Sequence, residues 1–291
     1  MAPEEDPDRT VELLWRESRD ATPRRELSLG VIVRAAVEIA DADGIEGVSM
    51  RRVGERLGFT SMSLYRHVPG KTQLIDLMCD AVMGDAATTG TDGGDTAGTP
   101  RGWREALEGW ARGSWALCRR HPWLAGVRGT RHIPGPNSVA HFEYALGTVA
   151  GIGLKPAEMV AVVGLVGRFV DSEAARAAEA ARVERHTGVS EEEWWGARES
   201  LYEKLHLYPT LTHVWEAGGY DEPEDSFEFG LRRMLDGIAA LVRERDEKRD
   251  ESASCAICGT SMDRAEAGRP RAYCSRACQQ RAYRRRRRST P

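Results

Sequence analysis

From Ser28 onward the apolar residues of this chain recur at three- and four-residue spacing, and nowhere do Val and Ile alternate with polar residues over a strand's length. That periodicity admits helix and excludes sheet, so the expected fold is all-α. Val31, Ala35 and Ile39, flanked by Ile32 and Ala36, hold one face until Gly44. Further helices are expected near 138–151, 157–184, 191–206 and 224–246. Pro156 opens the second of these, and Ser190 with Glu193 forms a capping box for the third. Residues 157–170 are apolar nearly all round and demand cover on more than one side, whereas Phe227, Leu231, Met234, Leu235, Ile238, Leu241 and Val242 form a single stripe.

Composition changes along the chain mark its units. Residues 1–27 read as a flexible arm in which Val11, Leu14 and Trp15 suit a short helix packed on the adjoining domain. Residues 28–83 carry several short helices. Residues 84–100, GDAATTGTDGGDTAGTP, lack aromatic and large aliphatic side chains and read as a linker. Thr99-Pro100 then suits a helix start, and 101–247 forms a helical bundle presenting Trp103, Leu107, Trp110 and Leu117 from its first helix. A tail spans 255–288. The longest apolar run, Met159 to Gly167, is too short to span a bilayer, so no membrane partner is expected. Glu4, Glu5, Asp6 and Asp8 are the reverse of a basic export signal, which predicts a cytoplasmic protein.

Within 28–83, Ser49 caps a helix ending at Gly58, a second runs from about Ser61 to His67, Pro69-Gly70 breaks it, and Lys71 to Met83 forms the next. Two short helices joined by a tight glycine turn make the geometry that sets a helix into the major groove. The formal net charge of −4 hides an uneven distribution: 49–71 carries five basic residues against Glu55. Arg51 and Arg52 sit where phosphate contact is natural, and Thr60, Ser61, Ser63, Tyr65, Arg66 and His67 give the second helix a hydrogen-bonding face. Leu64 is its inward anchor, toward Val53, Leu57 and Ile39.

The string GVSMRRVGERLGFTSMSLYRHVPGKTQLIDLM resembles, over Leu29 to about Met83, the N-terminal domain of the tetracycline-repressor (TetR) family. The resemblance implies a three-helix helix-turn-helix domain binding an operator in double-stranded DNA, with Arg51, Thr60, Ser61, Met62, Ser63, Tyr65, Arg66, His67 and Lys71 as the contacting positions. Tyr65 and Lys71 would meet phosphates and Arg66 a base edge. Met62 stands where the tetracycline repressors have proline, so their operator is not assumed.

Residues 101–247 are similar, more loosely, to the family's helical ligand-binding and dimerisation domain. This implies a homodimer built on 157–184 and 224–246, where Gly164 and Gly167 would permit close approach, and a chamber for a small hydrophobic effector. Trp110, His132, Asn137, His141, Phe142 and Phe169 are the candidates to line it; the alternative is that these side chains are core. The implied function is a repressor that its ligand releases from DNA. No Ser/His/Asp order, carboxylate pair or Gly-rich phosphate loop points to an enzyme.

Cys255, Cys258, Cys274 and Cys278 form two tight pairs, suited to a structural, tetrahedral zinc ion that would fold a small four-cysteine module. An iron–sulfur cluster or a redox pair of disulfides are the alternatives. With them comes a second function, a zinc- or redox-responsive regulator sensing through these cysteines. Cys79 and Cys118 lie on apolar helical patterns and read as core. From Cys255 onward ten arginines face Asp263 and Glu266, a balance of +8 that leaves −12 for the rest. The string GRPRAYCSRACQQRAYRRRRR looks like the zinc-ribbon tails of actinobacterial proteins. Its basic helix suits a phosphate backbone, adding salt-sensitive operator affinity; the alternative is a solubilising or protein-binding tail.

Overall fold

The computed structural model describes residues 7–15, 27–90, 102–128, 131–221, 224–251, 255, 257–260 and 272–288. Every regular element among them is helical. Helix α1 (Pro7–Leu14) buries Thr10 and Leu14. Helix α2 (Leu29–Asp43) starts where Ser28 accepts from the Val31 amide and stops at Gly44, whose φ of 78° only glycine adopts readily. Helices α3 (Met50–Leu57) and α4 (Ser61–Tyr65) come after it, then α5 (Lys71–Gly90). The backbone of 84–90 therefore continues α5 instead of opening a linker: at Gly84 the helix lies so close to Asn137 that a Cβ would meet the Asn137 amide nitrogen at 3.0 Å. The remainder of the expected linker, and Thr99-Pro100, lie outside the described residues; α6 (Trp103–Arg120) starts from Gly102.

Helices α7 (Trp123–Arg128), α8 (Pro136–Thr148) and α9 (Pro156–Thr187) come next. The expected helix over 191–206 is broken into α10 (Glu191–Gly196), α11 (Glu199–Tyr202) and a 3-10 turn, succeeded by α12 (Pro209–Glu216). The Ser190–Glu193 capping box is present, but Ala197 already ends α10. Helix α13 (Ser226–Glu251) closes the bundle, and α14 (Arg276–Arg288) carries the arginine run.

Two apolar cores hold this together. One joins α1–α5 to the far end of α6, to α7 and to Ala174 of α9; the other fills the bundle among α6, α8, α9 and α13. Polar cross-links fix the direction of α13. Ser226 Oγ donates to Glu173 at 2.7 Å at its start, Arg112 and Arg104 pair with Glu228 and Asp236 along it, and Arg245 pairs with Glu158 near its end. Hence α13 runs antiparallel to α9, away from the first core. No helix of the described residues is long and apolar enough to cross a membrane.

Candidate nucleic-acid interface, sensor core and metal centre

The turn between α3 and α4 is built by glycine at two places. Gly58 adopts φ +74°, closing α3, while the Phe59 amide bonds back to Gly54 O at 2.9 Å. A Cβ at Gly54 would lie 2.7 Å from Phe59 O, so no other residue fits without moving that backbone. Thr60 Oγ1 caps α4 by accepting from the Ser63 amide and sits 3.0 Å from Ser63 Oγ. Leu64 alone of α4 is buried, in one core with Ile39 and Val53. The other side is open: Met62 is 73% exposed, and Tyr65, Arg66, Thr60 and Lys71 face solvent, with Ser61, Ser63 and His67 half-buried.

The basic residues of α3 divide. Arg51 stands outside, in an exposed pair with Glu55 at 2.9 Å, a contact weak enough to be exchanged for phosphate. Arg52 turns back instead, onto Asp43 and the Gly47 carbonyl, and Arg56 pairs with Glu38 at 2.7 Å. These two fasten α3 to α2, so Arg52 is engaged within the head where Arg51 is the more exposed cation.

The head is joined to the bundle by two carboxylate junctions that the sequence did not single out. Asp41 Oδ1, at the end of α2, accepts from Trp123 Nε1 at 2.7 Å and lies 2.8 Å from His121 Nδ1. Asp80 Oδ1, on α5, accepts from the Ser138 amide at 2.9 Å while Asp80 Oδ2 and its carbonyl accept from Asn137 Nδ2, both at 3.1 Å. A carboxylate from the head thus caps α8 of the bundle, favourable for free amides and for the helix dipole alike. Trp15 adds a third link, donating to Pro134 O at 3.3 Å.

The six candidates for a ligand chamber do not meet in one wall. Trp110 and His141 pair, ring centres 5.4 Å apart. Phe169 belongs to a separate stack, with Phe227 at 5.8 Å and Trp115 beyond it. Asn137 is committed to Asp80, and Phe142 is exposed. His132 lies near Asp171, whose carboxyl burial raises against the opposing pull of Arg128 and, less, of His132. Gly167 packs against Trp110 inside the same chain, so it does not serve a dimer contact in the manner expected.

What the structure gathers instead is a set of buried polar groups among α6, α7, α8 and α9. Ser114 Oγ is 3.0 Å from His141 Nε2. Burial, and secondarily the Arg128 charge, push His141 down to about 4, so the ring is neutral near pH 7. Arg128 Nη1 lies 3.1 Å from Asp171 Oδ1, but the pair is misaligned: neither atom completes a hydrogen bond, nor does the indole nitrogen of Trp110. Arg128 was legible as a lone charge closing the apolar stretch WLAGVRG, whereas Asp171 stands between Arg168 and Glu173 and carries no such signal. An open cleft of about 450 Å³ lies elsewhere, lined by Trp103, Ala106, Tyr144, Gly147, Thr148, Ala150 and Ile152.

Burial pushes Cys79 and Cys118 up to about 12 and about 11, so both are inert core thiols. The other four cysteines converge, all sulfurs within 4.8 Å of one another. Cys258 to Cys274, Cys274 to Cys278 and Cys258 to Cys278 measure 3.5, 3.6 and 3.7 Å. Four thiolates at about 2.3 Å from a tetrahedral ion would be about 3.8 Å apart, so the cluster fits one. Backbone amides of Cys274, Ile257 and Cys258 aim at Cys255 and draw its thiol down to about 6, whereas the crowding sulfurs of Cys258, Cys255 and Cys278 raise Cys274 to about 12. That is the charge conflict which a shared cation relieves.

This arrangement has relatives among known proteins. The model for bacterial regulatory proteins of the tetR family matches residues 32–78, and that for the tetracyclin repressor-like C-terminal domain matches 97–242. The HTH-type transcriptional repressor DrrR1 of Streptomyces coeruleorubidus is 41% identical over 250 residues, 84% of this chain and 89% of that protein. The chain belongs to the TetR family. It is therefore a DNA-binding transcription regulator, not an enzyme, and α2–α4 are its helix-turn-helix domain. Among solved structures, apo ActR of Streptomyces coelicolor aligns with a TM-score of 0.60 at 27% identity, covering 75% of this chain and 97% of that one. ActR in complex with actinorhodin aligns at 0.59 and 25%, covering 74% and 96%. Both family models end before Cys255, so the sulfur cluster and α14 lie outside the matched TetR plan.

Proposed function

We propose that this TetR-family protein is a cytoplasmic repressor that binds a two-fold symmetric operator as a homodimer and leaves it when a small hydrophobic ligand occupies the bundle. The observation that carries the DNA half is α4 itself: one buried side chain, Leu64, holds it, and its polar face is turned outward. Thr60, Ser61, Met62, Ser63, Tyr65, Arg66 and His67 meet the groove, with Arg66 suited to a guanine edge. Arg51 and Lys71 meet phosphates on either side. One helix this short reads few base pairs, so a second copy must supply the rest. Exposed Val160 and Leu165 on α9 and Phe229 on α13 give the apolar face on which the copies join.

The unmet buried hydrogen bonds of Trp110, Arg128 and Asp171, beside neutral His141, support the ligand half, because a polar group on an otherwise apolar effector would complete them. ActR, solved with actinorhodin, is a relative that takes a small molecule. Ligand-induced movement would reach the head through Asp80 and Asp41. The four sulfurs hold zinc, which closes the tail by replacing a missing apolar core and needs no open coordination position. A second reading, redox control, rests on the exposure of Cys258 and Cys274; repression that tracks peroxide and ignores organic ligands would favour it.

Hydroxyl-radical footprinting on a palindrome selected by the protein tests the main reading. The expected result is two protected half-sites about 34–36 Å apart, from a protein that sediments as a dimer. A strictly monomeric protein, or unbroken protection without half-sites, would overturn it.

A further inference from the structure

The sequence alone expects the basic tail to reinforce grip on the operator, but its root points the other way. Helix α13 starts beside Glu173, near the core shared with the head, and passes Glu158 at Arg245 on its way out. Its 26 residues carry the chain about 38 Å from Ser226 to Glu251. Cys255 is four Cα steps further on, a reach of at most about 15 Å. Even folded straight back, it stays at least about 20 Å short of Ser226. The sulfur cluster then binds the base of α14 to that point, through Cys278 and Cys274. Helix α14 has 13 residues and is about 20 Å long. Laid back along α13 it reaches the level of Ser226, with the whole reading head still between it and the duplex that α4 contacts.

The surface on α14 is nonetheless built for phosphate. Cys278 and Ala282 are buried against the module, while Arg276, Gln279, Gln280, Arg281 and Arg284 are exposed. Arg276, Arg281 and Arg284 have no carboxylate partner among the described residues. Five consecutive arginines, Arg284 to Arg288, end the helix, a density of charge that matches a polyanion lattice better than a single carboxylate.

We infer that the tail is a second, sequence-independent duplex-DNA site on the pole opposite the operator-reading helices, so that the protein can hold two DNA segments at once. The inference rests on the repressor reading for its first segment. In the proposed dimer two such tails share that pole. A remote segment of the operator-bearing molecule is then presented at high effective concentration.

The test is capture. Full-length, zinc-loaded protein is placed on an immobilised operator duplex, washed, and offered a labelled duplex without the operator. The second duplex is expected to be retained, and retention to fall at least about ten-fold between roughly 50 and 200 mM salt. Truncation after Glu251 should abolish retention while leaving operator affinity and its salt slope unchanged on a short duplex. The triple variant Arg276→Gln, Arg281→Gln, Arg284→Gln keeps all four cysteines and should lower the salt slope of capture by about 3, near 0.9 for each phosphate no longer neutralised. Capture that survives truncation would overturn the inference. So would a short-operator slope that flattens with the tail removed, or retention of single-stranded RNA or an acidic protein in preference to duplex. Failure at the first step, with no operator bound, would count against the repressor reading, whereas operator binding without capture would count against the second site alone.

Discussion

The reading head and the tail both end in an exposed, arginine-bearing helix, yet they are held in opposite ways. Helix α4 stands on an apolar core that reaches across the head into α6 and α7, anchored by Leu64. Helix α14 stands on four sulfurs, with Cys278 and Ala282 as its buried contacts. The head can therefore be tied to the bundle through Asp41 and Asp80 and be moved by it, because core packing transmits displacement. The tail, which the proposed zinc would close, shares no buried residue with either apolar core. A regulator that must let go at one end and keep its hold at the other would need this division.

The comparison breaks most sharply under chelation. Removing zinc withdraws roughly 10–16 kcal/mol of folding free energy from the tail, so the 272–288 amides should lose hydrogen-exchange protection while those of α2–α5 keep theirs. Loss of protection in both regions would mean that the tail supports the head. Leu64→Ala is the converse experiment. A large-to-small change at a fully buried site costs about 2–5 kcal/mol, and should abolish operator binding while metal stoichiometry stays at about one per chain by atomic spectroscopy, as four thiolates around a single ion require.

Acid separates the bundle from both. Folded His141 titrates near about 4 and its unfolded form near 6.5, so the unfolded state binds the extra proton. Stability is complete above about pH 6.5 and declines as pH falls toward about 4, by at most about 3 kcal/mol. His141→Phe should flatten that part of the urea-midpoint profile; an unchanged slope would remove His141 from the account. The smallest effect is expected from Asp80→Ala, about 1–2 kcal/mol for a missing cap. Its signature is functional: effector binding measured by calorimetry persists while effector-driven release from DNA weakens.

Much of the head is legible in its sequence. Ser28, Ser49 and Thr60 cap their helices through hydrogen bonds to residues three ahead, and Gly44 and Gly58 end them with positive φ, all local chemistry that short windows of sequence contain. The four cysteines were equally plain, because metal spacing is local too. What escaped depended on distance. Arg52 suits phosphate by its position, but Asp43 engages it within the head. Asn137 suited a ligand chamber until Asp80, 57 residues away, accepted its amide. Residues 84–90 have a linker's composition, yet α5 continues through them beside α8. The direction of α13, which sends the tail away from the operator, depends on pairs such as Arg245–Glu158 that no periodicity announces.

The central claim is that α4 reads bases and its flanks hold phosphate. Competition binding of Arg66→Ala and Lys71→Ala, each against the selected palindrome and random duplex, tests it most directly. Arg66→Ala should lose about 1–3 kcal/mol of discrimination with little change on random DNA, and Lys71→Ala should weaken both duplexes alike. Equal losses on the two duplexes for both variants would contradict the assignment.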